Sequence, residues 1–287
     1  MIRSNLFEGR TLIIATKHGK EEVLASVLEK ELGVKCTLPS DFDTDVLGTF
    51  TGLIERKTDA LNTARKKCEM AMEQYNCDLA IASEGSFGPH PFSAFLAADE
   101  ELLLLVDKKN ELEIIAREIS TQTNFSAERV ESESQLLTFI EKSKFPSHAL
   151  FLRPAKNDFS LVYNTESLGI KEPLEVVSIY RKLMQTHGKV YVETDMRAMH
   201  NPSRMKVIGE ALAKLIDKIK SECPECGTPG FSITEVIKGL PCEWCGSPTK
   251  SPLSVIYSCG KCAFKKEELY PQNKQVEDPM YCDNCNP

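Results

Sequence analysis

Four Cys-x-x-Cys pairs crowd the last 65 residues of this 287-residue chain: Cys223/Cys226, Cys242/Cys245, Cys259/Cys262 and Cys282/Cys285. A two-residue gap lets both sulfurs of one turn face a single ion, and two such knuckles complete a tetrahedral four-thiolate shell. Eight thiolates therefore predict two structural zinc sites with no position left for a catalytic water. A redox Cys-x-x-Cys would not recur four times; an iron–sulfur site is the alternative that uses the same donors. Residues 1–10 carry Arg3, Glu8 and Arg10 and no long apolar core, so no signal peptide is expected, and thiolate metal sites are expected over disulfides. Cys36, Cys68 and Cys77 are scattered and odd in number.

Cys223-Pro-Glu-Cys226-Gly and Cys242-Glu-Trp-Cys245-Gly share a trailing glycine and read as first knuckles. Tyr257-Ser-Cys259 and Tyr281-Cys282 are strand-like approaches to second knuckles. A first-type knuckle should pair with a second-type one, nested or interleaved, rather than with its neighbour in sequence. The nested arrangement, Cys242/Cys245 with Cys259/Cys262, is preferred.

A long helical pattern ends near Ser221, which divides the chain into an α/β domain (1–220) and a double zinc ribbon (221–287). The ribbon has 6 Lys+Arg against 9 Asp+Glu, and the whole chain 35 against 42, a net charge of −7. Proteins held to nucleic acid by phosphate contacts carry a basic surplus, so nucleic-acid binding by the ribbons is disfavoured. Protein contact or stabilisation is the better role for them. The composition, 41% hydrophobic and 27% charged, excludes wholesale disorder and a fibrous repeat. No apolar run is longer than Leu102–Val106, far short of the roughly 20 residues of a membrane span. A cytoplasmic chain away from membranes is expected, with self-association left open.

Residues 1–220 alternate strand and helix patterns. Thr11–Thr16 is a strand, followed by a helix with Val23, Leu24, Val27, Leu28 and Leu32 on one face. Val34–Leu38 is a second strand, 39–57 is loop-like, and a helix covers about 59–76. Leu79–Ser83 is a buried strand ending in a Gly/Pro-rich loop, Glu84–Pro91. Leu102–Asp107 and Leu112–Ile119 form a hairpin. Later come a short helix at 134–143, strands at 149–153 and 190–194, and helices opened by Pro173 and by Asn201-Pro202. Hairpins and crossovers together predict a mixed sheet.

Three loops concentrate polar residues at sheet ends, where α/β proteins place ligands. Thr16-Lys17-His18-Gly19-Lys20 offers a hydroxyl, two ammoniums and a helix start to an oxyanion. Glu84 enters the glycine-rich loop. Thr194–Arg204 gathers Asp195, Arg197, His200 and Arg204 around a helix start, where the guanidiniums suit phosphate or carboxylate. The plain alternative there is an internal ion pair of Asp195 with Arg197 or Arg204.

Over nearly its whole length the chain resembles an uncharacterised bacterial family marked by SEGSFGPHP (83–91), TDMRAMHNPSRM (194–205), CPECGTPGF (223–231) and YCDNCNP (281–287). That resemblance implies no activity. Residues 12–32 are also similar to the opening strand, phosphate loop and helix of inosine triphosphate pyrophosphatases. Glu55 and Lys67 match that family's acid-then-helix segment, with Thr63 in place of its Asn. Asp78–Gly85 resembles the strand that ends in the family's second acid, matched by Glu84. Ser203-Arg204 is like its terminal Ser-His-Arg without the His, and the first loop is one residue shorter, with His18 in place of Asn.

The resemblance implies an inosine triphosphate pyrophosphatase-like fold and cleavage of a nucleoside triphosphate to monophosphate and pyrophosphate. Glu55 and Glu84 would hold Mg2+, and Lys17, Lys20, Lys67 and Arg204 would stabilise the departing pyrophosphate. Thr16 would orient a phosphate oxygen, Arg197 would contact phosphate or base, and Glu84 or Asp45 would accept the water's proton. The rival is a non-catalytic module that senses a nucleotide or other phosphorylated small molecule and signals through the ribbons to a protein partner.

Overall fold

The computed structural model describes residues 6–16, 19–39, 42, 59–156 and 169–287. They form two compact units, one up to Leu215 and one from Ile216 onward. Among the described residues no helix is long and apolar enough to cross a membrane.

The first unit is a mixed α/β structure. Its larger sheet has the order β2-β1-β3-β4-β5, from β1 (Thr11–Ile14), β2 (Lys35–Thr37), β3 (Leu79–His90), β4 (Ser93–Asp107) and β5 (Leu112–Ser120). β1 runs parallel to β2 and β3, whereas β4 is antiparallel to both of its neighbours. Helix α1 (Glu21–Leu32) is the crossover between β1 and β2, and α2 (Ala60–Gln74) precedes β3. Asp59 caps α2 by accepting from the Asn62 N–H at 2.9 Å.

Strand residues alternate between faces, so Ala80, Ala82, Leu102 and Leu104 point to one side of the sheet, against Ala64, Cys68 and Ala71 of α2. A second, antiparallel sheet has the order β6-β8-β7: β6 (Ala127–Val130), β7 (Leu150–Arg153) and β8 (Val190–Thr194). It packs with α3 (Glu133–Lys142) and α4 (Pro173–His187) around Leu136, Leu152, Val176 and Val192. Strand β6 has no readable period, since three of its four residues are exposed, so this sheet is not legible from pattern alone. Helix α5 (Pro202–Lys220) starts where the Asn201 side chain accepts from the Arg204 N–H at 3.0 Å.

One expected loop is a strand. Glu84–His90 continues β3, because every residue from Leu79 to Pro89 finds a partner on β4, from Leu79↔Asp107 to Pro89↔Ala97. β1 pairs with β3 only as far as Ile81, and among the described residues no strand pairs with the other edge of 82–90. Pro89 has no N–H to contribute, and that edge does not require one.

The second unit holds an antiparallel sheet of order β11-β10-β9: β9 (Ser232–Lys238), β10 (Pro252–Ser258) and β11 (Lys265–Leu269). Its four knuckles form two clusters, Cys223/Cys226/Cys259/Cys262 and Cys242/Cys245/Cys282/Cys285. The pairing is interleaved, which corrects the nested expectation of Cys242/Cys245 with Cys259/Cys262. Seven residues of β9 carry the chain roughly 24 Å at about 3.4 Å per residue, so knuckles one and two sit at opposite ends of the sheet. β10 returns to the first end, where Ser258 pairs with Ser232, and delivers the third knuckle there. β11 runs back, and the Cys242↔Glu277 bridge brings the fourth knuckle to the second.

Candidate functional site

The sulfurs fit a tetrahedral metal. Cys223 and Cys262 Sγ are 3.7 Å apart, Cys226 and Cys259 3.7 Å, Cys242 and Cys285 3.9 Å, and Cys245 and Cys282 3.7 Å. A zinc–sulfur bond of about 2.3 Å gives a tetrahedral edge of about 3.8 Å, whereas a disulfide needs about 2.05 Å. The first two knuckles are built alike. Gly227 donates to Cys223 O at 2.8 Å and Gly246 to Cys242 O at 2.9 Å. Both glycines are left-handed (φ 68° and 71°), a backbone that a side chain would strain. Hydrogen bonding with Thr228 lowers the Cys226 thiol and with Ser247 the Cys245 thiol, whereas Cys262 and Cys285, crowded by the other sulfurs of their clusters, are pushed up. Four sulfurs close each cluster, a donor set consistent with a structural zinc site and without the open position of a catalytic one.

The α/β unit buries a second set of charged groups where β1 ends and β3 runs on. Thr16 Oγ1 lies 3.3 Å from Ser83 Oγ, and Lys20 Nζ donates to the same hydroxyl at 2.8 Å. Lys20 opens α1 and is only 3% exposed. Burial, and then the nearby Arg204 charge, lower its ammonium to about 7. Glu101, Glu84 and Lys67 act on it as well, so all these groups lie within electrostatic reach of Lys20. On the α2 face of the sheet, Lys67 Nζ contacts Glu84 Oε1 at 2.6 Å.

On the opposite face, Ser83, Gly85 and Phe87 stand beside Leu103, Glu101 and Asp99 of β4. Arg204, fully buried, reaches across from α5: Nε donates to Glu101 Oε1 at 2.5 Å and Nη1 to Met196 O at 2.6 Å. Its guanidinium lies 5.1 Å from the centre of the Phe87 ring. Gly85 makes this approach feasible, because a Cβ there would collide with the Arg204 guanidinium and sit 2.6 Å from Glu101 Oε1.

Beside this cluster is a small open recess, walled by Phe87, Phe125 and Phe151 and lined by Glu193, Asp195, Met196 and Arg197. Phe87 and Met196 belong to both places. Arg197 grips Asp195, with Nε on Oδ1 at 3.0 Å and Nη2 on Oδ2 at 2.6 Å. Glu193 is ion-paired with Arg153, and burial pushes its carboxyl up.

Of the residues singled out in sequence, Thr16, Lys20, Lys67, Glu84 and Arg204 meet in this region. Arg197 instead lines the recess, in the internal pair with Asp195, while the alternative partner Arg204 goes to Glu101. Lys17, His18, Asp45 and Glu55 lie outside the described residues. Asp99 and Glu101 were not anticipated. Their signal was present: two acids at i and i+2 on a strand that leads directly into Leu102–Val106, which places them on a buried face.

Asp99 is 1% exposed, and burial, then the Glu101 charge, raise its carboxyl to about 8. An unfolded aspartate titrates near 3.9. The folded state therefore holds this proton more tightly, and the stability it contributes is full below about pH 4 and lost as pH rises through about 8. Urea denaturation at pH 5, 7 and 9 should show that decline in the wild type and a flatter profile in Asp99→Asn. Parallel profiles would assign the decline to other groups.

No curated protein matches the chain. A family model matches residues 67–287, which take in Lys67, Glu84, Glu101, Arg204 and all eight ribbon cysteines. That span is more than three-quarters of the sequence, and the chain belongs to the family described as a domain of unknown function, DUF6671.

Proposed function

We propose that the α/β unit binds a nucleotide or other phosphorylated small molecule where β1 ends and β3 continues. The observation that carries this reading is the convergence of Thr16, Lys20, Lys67, Glu84 and Arg204, from four separate parts of the chain, at the carboxyl end of parallel strands. Ligands in open α/β sheets sit at that end. Lys20 at the start of α1 adds a cation to the positive end of a helix. The ribbons, closed around zinc, serve structure or contact with a protein partner.

Hydrolysis of a nucleoside triphosphate with Mg2+ is the second reading, and it rests on Glu84 standing beside these cations. The described carboxylates do not make a magnesium shell: Glu84 is neutralised by Lys67 and Glu101 by Arg204. A magnesium ion needs an oxygen-rich, anionic set of ligands, and the further candidates, Asp45 and Glu55, lie outside the described residues. Binding therefore ranks ahead of turnover.

Calorimetric titration of the full chain with nucleoside mono- and triphosphates tests both. Lys20→Met should weaken binding by about 1.5–3 kcal/mol, the range for hydrogen bonds to charged groups, and leave the melting profile cooperative. Binding with no pyrophosphate released in the presence of Mg2+ supports the binding module; release that Glu84→Gln abolishes would move the assignment to the hydrolase. A panel that neither binds nor turns over would overturn the proposal.

A further inference from the structure

The recess beside the cluster has the chemistry of a base pocket. Its apolar walls are aromatic: the Phe87 and Phe125 ring centres are 5.7 Å apart, and Phe151 carries the Arg153 guanidinium 5.5 Å above its ring. Flat rings gain most from a flat, polarisable partner. Two polar side chains that line the recess have unused capacity. Glu193 Oε1 is bound by Arg153, and among the described residues Oε2 has no hydrogen-bond partner. Arg197 spends Nε and Nη2 on Asp195, and Nη1 has no partner among the described residues. One concavity thus offers a carboxylate acceptor, a guanidinium donor and aromatic faces.

We infer that this recess takes a guanine-type base, a purine that presents adjacent N–H donors and a carbonyl acceptor. The carboxylate of Glu193 suits the ring N–H and exocyclic amine, and the Arg197 guanidinium suits O6 and N7, the acceptors that arginine reads on guanine in general. Adenine presents no ring N–H, so it would leave Glu193 with one donor in place of two and Arg197 without a carbonyl. Charge-assisted hydrogen bonds of this kind are the strong ones, and leaving them unmade is what rejects the wrong base. The shared residues, Phe87 and Met196, place the recess directly beside Arg204 of the charged cluster. The inference rests on the nucleotide reading above for the phosphate half of the ligand, and on the recess alone for the base.

The test is calorimetric titration of the full chain with guanosine, adenosine, their triphosphates and inorganic pyrophosphate, using wild type, Phe125→Ala, Glu193→Gln and Lys20→Met. Phe125 is 38% exposed, so its truncation keeps the fold even if Glu193→Gln disturbs Arg153. The expected result is at least tenfold tighter binding of guanosine triphosphate than of adenosine triphosphate. Phe125→Ala and Glu193→Gln should each erase that preference while pyrophosphate affinity stays unchanged. Equal affinity for the two bases, or a preference that survives both variants, would overturn the base pocket and leave phosphate binding standing. Guanosine binding that the triphosphate does not improve and Lys20→Met does not touch would support the pocket and sink the phosphate site. Failure of every probe to bind would overturn both.

Discussion

Full-length protein carrying Cys226→Ser and Cys259→Ser together is expected to retain one zinc ion of two. Both cysteines belong to the same cluster, Sγ to Sγ 3.7 Å apart, so the double substitution destroys one shell and leaves Cys242, Cys245, Cys282 and Cys285 intact. A nested pairing would place these two cysteines in different shells, and the double variant would then lose both ions. Zinc measured by atomic absorption after gel filtration decides between one and none. The energetic effect is the largest expected for this chain. A structural zinc site contributes an apparent 10–16 kcal/mol or so, because the ligands have no preformed arrangement in the unfolded state. The small apolar cluster beside the first site, Phe231 with Tyr257 and Phe264, cannot replace that contribution, and the ribbon sheet should lose cooperative unfolding when both ions are chelated.

Arg204→Met is expected to lower the unfolding free energy by about 3–5 kcal/mol, the cost of leaving a buried charge without its partner. The stranded group would be Glu101, 1% exposed and beside Asp99, so the variant buries two carboxyls with no guanidinium between them. Arg204→Met with Glu101→Leu should recover most of the loss, since a buried pair exchanged for apolar side chains is often neutral. Urea denaturation of the wild type, both single variants and the double variant completes the cycle. A double variant as unstable as Arg204→Met alone would mean that the guanidinium matters through Met196 O and the Phe87 ring, which it also contacts. A difference of this size also separates structure from function. If Arg204 is needed mainly for the fold, its role toward phosphate is indirect, and Lys20 becomes the more informative probe.

Elements that depend on near neighbours were legible in the sequence. The periodic apolar face of α1, the Asn201 cap of α5, the Gly188 end of α4 and the hairpin of β4 and β5 all follow from residues within a few positions of one another. The Cys-x-x-Cys turns belong here too, because two residues and a glycine suffice to aim both sulfurs at one ion. So does the conclusion that eight thiolates make two metal shells, and the recognition of Thr16, Lys20 and Arg204 as polar residues at element ends.

What remained open was decided by contacts distant in sequence. Knuckle pairing depended on the length and direction of β9 and β10, which carry successive knuckles to alternate ends of the sheet. Glu84–His90 became a strand only because β4 offered a partner for each of its residues to Pro89, although the glycines and prolines there favour a turn locally. The partners of the arginines followed the same rule. Asp195 was two residues from Arg197 and took it, whereas Arg204 crossed the fold to Glu101, 103 residues away, through the space that Gly85 leaves open. Sequence spacing specifies what a residue can do within a turn or two of backbone. The face of the sheet on which its charge is buried, and the opposite charge it finds there, are set by register, and register exists only once the strands have paired.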